Sequence, residues 1–210
     1  MAEVTDLHTV AAPQAEMVMP AADEAIPIEQ RTDVTVDELE RLSLPYQAEL
    51  YNGKVVFKMA NPVHGMIQAR ITIRLGSYLE QIPIGYVMTE TNFRLWPDRP
   101  KESRIPDVAF VKKERMPQDL RRFPAIAPDL AVEIISPDDN FMDVMNKVDA
   151  YLEQGTQVVW LVISNTREVL VCTGVSKHSV RDVLTDPDLL PGFELPVEMI
   201  FEGLAMQSQS

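Results

Sequence analysis

Two carboxylates sit where apolar strands should not tolerate them. Asp107 lies in Ile-Pro-Asp-Val-Ala-Phe-Val (105–111), and Glu133 in Pro-Asp-Leu-Ala-Val-Glu-Ile-Ile-Ser-Pro (128–137). Burying a lone carboxylate costs several kcal/mol or forces it to take up a proton. Two carboxylates that converge can instead share a divalent cation, Mg²⁺ or Mn²⁺, with a backbone carbonyl and water completing the shell. Strand alternation puts Asp107 on the face of Ala109 and Val111, and Glu133 on the face of Asp129, Ala131 and Ile135. If the two strands are neighbours, both acids point into one space. Lys147 follows on a predicted helix, one turn after Asp143 and on the flank of an apolar stripe. A lysine there can stabilise a phosphorane-like transition state or orient a water.

Each of these residues has a plainer reading. An Asp after a proline often serves a turn, and a helix lysine ordinarily faces solvent. His64 and Gln68 continue the buried stripe of an earlier helix towards its N-terminus, where they reach a phosphate or a water, or simply face solvent. Asp129 reads as the end of a loop. Ser136 belongs to a helix-start turn, since no His–Asp arrangement accompanies it. Asp138 and Asp139 complement that helix N-terminus. Arg115, Arg121 and Arg122 form a solvated loop by default. Trp160 reads as core.

The elements that must position these groups are legible in outline. Thr35-Val-Asp-Glu38 fits a capping box opening a short helix to about Leu42. Residues 49–58 read as a hairpin turning at Asn52-Gly53. Asn61-Pro62 opens a helix to about Gln81, with Ile67, Ile71, Leu75, Tyr78 and Leu79 as its stripe. Strands are expected at 85–90, 92–96, 105–112 and 129–135. A helix then runs from the Ser136–Asn140 start to about Gln154, and Gly155 ends it. Strands at 157–163, 168–172 and 178–184 follow, and the segment from Leu190 onward is expected to be extended. Residues 1–33 carry seven acids against Arg31 alone and lack a sustained period, so they read as a flexible acidic tail before a domain at 34–206. Gln207 to Ser210 are expected to fray. The order of elements suggests a mixed sheet flanked by helices, an α/β or mixed α+β domain.

Composition narrows the function classes. The 210 residues carry a net charge of −13, which argues against a general nucleic-acid coat protein. A nuclease stays open, because a local basic groove and a bound metal offset the mean. One cysteine, Cys172, excludes an intramolecular disulfide and a cysteine-based zinc site, and fits a reducing, cytoplasmic compartment. No apolar run approaches the roughly 20 residues of a membrane span, and no signal peptide is visible.

Taken in order, Glu49-Leu-Tyr-Asn-Gly-Lys-Val, Asn61-Pro-Val-His64, Pro106-Asp107, Glu133-Ile-Ile-Ser-Pro137, Asp143, Lys147, Tyr151, Gly155, Val159-Trp-Leu-Val162 and Leu190-Pro-Gly-Phe resemble the Uma2 family of the PD-(D/E)XK nuclease superfamily. The resemblance covers about 34–203 and leaves the tail outside. It implies a restriction-endonuclease-like central mixed β-sheet flanked by α-helices. It implies a metal-dependent endonuclease hydrolysing phosphodiester bonds in nucleic acid, DNA in the first instance. It makes Asp107 and Glu133 metal ligands, with the Ile134 carbonyl as a third, and places Glu49 near the site as a further acid. By analogy with the superfamily the protein is a homodimer. One departure stands out: Ile135 occupies the slot that usually holds lysine, and Lys147 looks like a migrated replacement. Two rival expectations remain. One is a catalytically inactive nuclease-fold protein with a nucleic-acid-binding or regulatory role. The other is a metal-dependent hydrolase of a smaller phosphodiester.

Overall fold

The computed structural model describes residues 26–136 and 139–204. Most of the expected tail, Asp138 and residues 207–210 lie outside the described residues. The packed chain starts earlier than the composition suggests. Ile28–Gln30 form a 3-10 turn, and Ile28 rests on the small core beneath the first hairpin.

Helix α1 (Val36–Leu39) is capped by Thr35, whose hydroxyl accepts the Glu38 N–H at 3.2 Å. Only half of the capping box forms, because the Glu38 carboxylate turns to Arg31 at 2.6 Å. Strands β1 (Ala48–Tyr51) and β2 (Lys54–Phe57) make the hairpin. Asn52 and Gly53 both take positive φ, 49° and 81°, as a tight two-residue turn requires. Helix α2 (Pro62–Gln81) begins at its asparagine cap, where the Asn61 side chain accepts the His64 N–H at 3.0 Å.

The centre is a six-stranded sheet in the order β3-β4-β5-β6-β7-β8. Its strands are β3 (Gly85–Thr89), β4 (Val108–Lys112), β5 (Leu130–Ile135), β6 (Val158–Ile163), β7 (Glu168–Thr173) and β8 (Lys177–Val180). Within this sheet only β5 and β6 run parallel, joined through helix α3 (Phe141–Glu153). A parallel pair needs such a crossover. Helix α3 is capped by Asn140 and stops at Gly155, whose φ is +98°. A second hairpin, β9 (Val183–Asp186) and β10 (Leu190–Pro196), leads into a short helix α4 (Val197–Phe201).

Each face of the sheet carries its own core. Leu130, Val132 and Ile134 of β5 pack with Ile67, Ile71 and Leu75 of α2 and with Ile200 of α4. Ala131 of β5 packs on the other side with Val148 and Tyr151 of α3. Burying each such aliphatic side chain is worth about 1.5–3 kcal/mol. Glu133 shares the parity of Ala131 and so faces α3. Among the described residues no helix is long and apolar enough to cross a membrane.

Three expectations need correction. Residues 92–96 are not a strand: Phe93 makes one bridge to Arg104, and Arg94 N–H bonds the Pro124 carbonyl. Their backbone is held by two irregular segments rather than a ladder, while Phe93, Leu95 and Trp96 are buried. The strand expected at 178–184 is split at Arg181-Asp182 into β8, on the main sheet, and β9, in the separate hairpin. The segment from Leu190 is extended as expected only through β10 to Pro196, and then turns into a helix in which Val197, Ile200 and Phe201 are buried.

Candidate active site

Strand β4 begins at Val108, so Asp107 stands just before it. The register pairs Val108 with Val132, which brings Asp107 up to the Glu133 end of β5. The Asp107 N–H donates to the Val132 carbonyl at 2.9 Å. Its Oδ2 accepts the Ile134 N–H at 2.7 Å, so the carboxylate extends the ladder instead of standing on one face as strict alternation predicts. In an extended strand the N–H and C=O of one residue leave on the same edge, so the Ile134 carbonyl points to the same side.

Because it lies at the end of the ladder, Asp107 is reached from several elements. From α2, His64 Nε2 lies 3.1 Å from Oδ2, and Gln68 donates to the Asp107 carbonyl at 2.8 Å. From the exit of β2, Lys58 Nζ donates to Oδ1 at 2.5 Å and to the Ile105 carbonyl at 2.9 Å. Asp107 is 1% exposed, yet it stays ionised. Burial works against the charge, but the His64 hydrogen bond and the Lys58 ammonium hold its carboxyl well below the usual carboxylate range.

Glu133 faces α3 and is held by it. Tyr151 Oη donates to Oε1 at 2.9 Å, and Lys147 Nζ lies 2.9 Å from Oε1 and 3.1 Å from Oε2. Lys147 also donates to the Ile105 carbonyl at 2.9 Å and lies 2.7 Å from Glu49 Oε1. The Glu49 carboxylate is fixed in turn by the Ile105 N–H at 2.6 Å and by Tyr51 Oη at 3.0 Å. Burial is the main force on Glu133 and pushes its carboxyl up to about 7; the Lys147 charge opposes this and the Asp107 charge adds to it. Glu49 is held below the usual range, because Lys147 and Lys58 outweigh its burial. Lys147 is likewise desolvated, but Glu133 and Glu49 hold it well above the ordinary lysine value. For His64 the Asp107 contact outweighs burial and raises the imidazole.

The structure therefore gathers Asp107, Glu133, Lys147, Glu49 and His64 into one buried cluster, with the half-buried Gln68 at its edge. The plainer readings of Lys147 and His64 as solvent-facing do not hold: Lys147 is 9% exposed and His64 8%. Asp129 stays apart, occupied by the Lys112 N–H, Gln157 and Arg115. Arg122 pairs with Asp37 and Glu40. Two participants were missed by residue reasoning, Lys58 and Glu90. Glu90 takes a positive φ of 50° and accepts from Gln68 at 2.8 Å, with Lys58 Nζ 3.9 Å away. Lys58 had a signal. Continuing the Glu49–Val56 register by two residues puts Lys58 on the face of Glu49.

The donor set fits a hard cation. Asp107 and Glu133 come from neighbouring strands, the Ile134 carbonyl leaves the β5 edge that faces Asp107, and two ammonium groups already lie on the carboxylates. Among the described residues no group of three or more His, Cys, Asp or Glu side chains forms a metal cage. A sparse set of this kind, completed by water, suits Mg²⁺ better than a full protein cage would.

A mixed sheet with helices on both faces carries this acid–lysine cluster beside its central strands. Residues 36–198 match the family model described as "Uma2: Putative restriction endonuclease", and the chain belongs to that family. No curated protein matches. Among solved structures, the chain is similar to one from Anabaena variabilis ATCC 29413, titled a putative nuclease belonging to DUF820. The identity is 24% and the TM-score 0.66, over 80% of this chain and 97% of that one. This likeness establishes a shared fold.

Proposed function

We propose that the protein is a metal-dependent endonuclease that hydrolyses phosphodiester bonds in DNA. The observation that carries the reading is the buried meeting of Asp107, just before β4, with Glu133 of β5 and Lys147, midway along α3. Family membership and the nuclease title of the Anabaena neighbour support it. Asp107, Glu133 and the Ile134 carbonyl would hold Mg²⁺ or Mn²⁺. The ion supplies Lewis acidity and a water of lowered pKa. Lys147 keeps its proton, donates to the attacking oxygen or to a phosphoryl oxygen, and offsets charge that develops there. Glu133, itself held by the Tyr151 hydroxyl, and Glu49 flank Lys147, so its ammonium is held in place before substrate arrives. Cutting both strands of a duplex needs two such sites, which a homodimer supplies.

Incubation of plasmid DNA with Mg²⁺ or Mn²⁺ tests this reading. Wild type should nick and linearise the plasmid, and chelation should stop it. Asp107→Asn, Glu133→Gln and Lys147→Met should each lower the rate about 100-fold or more. Cleavage that survives all three changes would sink the proposal. A second reading, a catalytically silent fold that only binds nucleic acid, draws on one observation: all four oxygens of Asp107 and Glu133 already have protein partners. DNA retention without cleavage at any tested metal would favour it.

A further inference from the structure

Lys58 is not used by the proposed chemistry, yet its ammonium lies on Asp107. We propose that Lys58 is a stand-in cation, a positioning residue that occupies the Asp107 side of the site and moves to Glu90 when a divalent ion enters. This rests on the metal-dependent reading of the site.

Three observations point to it. First, Lys58 and Lys147 share one acceptor, the Ile105 carbonyl, each at 2.9 Å. Two ammonium groups that close repel each other and are tolerated because Asp107, Glu49 and Glu133 surround them. A divalent ion bound to Asp107 and Glu133 adds positive charge to that space, so one ammonium must leave. Second, the two lysines are not equally held. Lys147 has two carboxylates within 2.9 Å and keeps 9% of its side chain exposed; Lys58, just past the end of a hairpin strand, has one close carboxylate with the second at 3.9 Å, and keeps 19%. Lys58 is the less enclosed of the two. Third, a landing site is in place. Glu90 Oε2 lies 3.9 Å from Lys58 Nζ, while Gln68 ties Glu90 Oε1 to the Asp107 carbonyl. A shift of the ammonium from Asp107 to Glu90 exchanges one carboxylate for another.

In this arrangement the apparent metal affinity is the intrinsic affinity reduced by the fraction of molecules with Lys58 displaced. Titration of full-length protein with Mn²⁺, read as the loss of the free-ion paramagnetic resonance signal, measures it without reference to activity. Lys58→Met should bind Mn²⁺ about tenfold more tightly than wild type, because a like charge leaves the site. Lys58→Arg should keep the weak affinity. Glu90→Gln should loosen binding several-fold when Lys58 is present and change it little in the Lys58→Met background. Circular dichroism melts establish that each variant is folded, and Glu90→Gln in the wild-type background carries the test if Lys58→Met is unstable. Equal affinity in wild type, Lys58→Met and Glu90→Gln, each lost with Asp107→Asn, would overturn the stand-in role and leave the metal site standing. No Mn²⁺ binding by wild type or Lys58→Met would overturn both.

Discussion

Glu133 and Asp107 sit at the ends of neighbouring strands, yet pH acts on them in opposite senses. Glu133 titrates at about 7 in the fold against 4.5 in a free chain. The folded protein therefore keeps a proton across that window which the unfolded chain has released. Its contribution to stability is fully present below pH 4.5 and is lost as pH rises to 7. Asp107 is held below its ordinary 3.8, so its contribution is present above that value and lost as pH falls through it. Thermal melts of wild type should therefore decline from pH 4.5 to 7, and Glu133→Gln should flatten that decline. An unchanged slope in Glu133→Gln would mean that Glu133 is already ionised throughout. Lys147→Met should be harsher. It leaves Glu49 and Glu133 without their common cation, and breaking a buried pair of this kind costs about 3–5 kcal/mol. Chemical denaturation should show that loss, and adding Glu133→Gln should restore part of it.

The hairpin β1–β2 supplies both Glu49 and Lys58, so its turn matters to the site from a distance. Gly53 has φ +81°, and a Cβ there would lie 2.4 Å from the Thr32 carbonyl oxygen. Gly53→Ala should cost about 1–3 kcal/mol and should lower cleavage more than a comparably destabilising change in α4. Plasmid assays on melt-matched variants check this. This hairpin, α2 and α3 were all legible in the sequence, because Asn52-Gly53, Asn61-Pro62 and Gly155 mark their limits chemically. The acids at 107 and 133 were legible as charges inside apolar runs. What local patterns could not show depends on remote partners. The run at 92–96 alternates like a strand, but a strand needs a neighbour, and here Arg104 and Pro124 offer isolated bonds. The break at Arg181-Asp182 is set by which sheet each half joins. Lys58 looks like any lysine leaving a strand until Asp107 arrives from 49 residues away.

At the scale of the whole molecule, charge opposes the proposed substrate. The protein carries −13, and residues 1–25 contribute five acids with no lysine or arginine. Removing those residues takes the net charge to −8. Association with DNA should quicken at low ionic strength, and the gain should fade above about 0.15 M salt, where the Debye length falls to about 8 Å. Stopped-flow binding of labelled duplex to the two forms measures both effects. A gain that persists at high salt would assign the segment a contact role rather than a charge effect.

The crossover through α3 also sets an order of assembly. Glu133 lies 14 residues from Lys147 and 18 from Tyr151, whereas Lys58 lies 47 from Ile105 and 49 from Asp107. Short loops close at lower entropic cost than long ones. The half of the cluster within β5 and α3 can form while the chain is still collapsing, and the half that depends on the hairpin waits for a distant docking event. Native-state hydrogen exchange should then find β5 and β6 amides opening last and those of β1 and β2 earlier. Until that docking, Asp107 lacks the Lys58 ammonium and Lys147 lacks Glu49, so the Glu133–Lys147 pair is expected to form before either partner from the hairpin arrives.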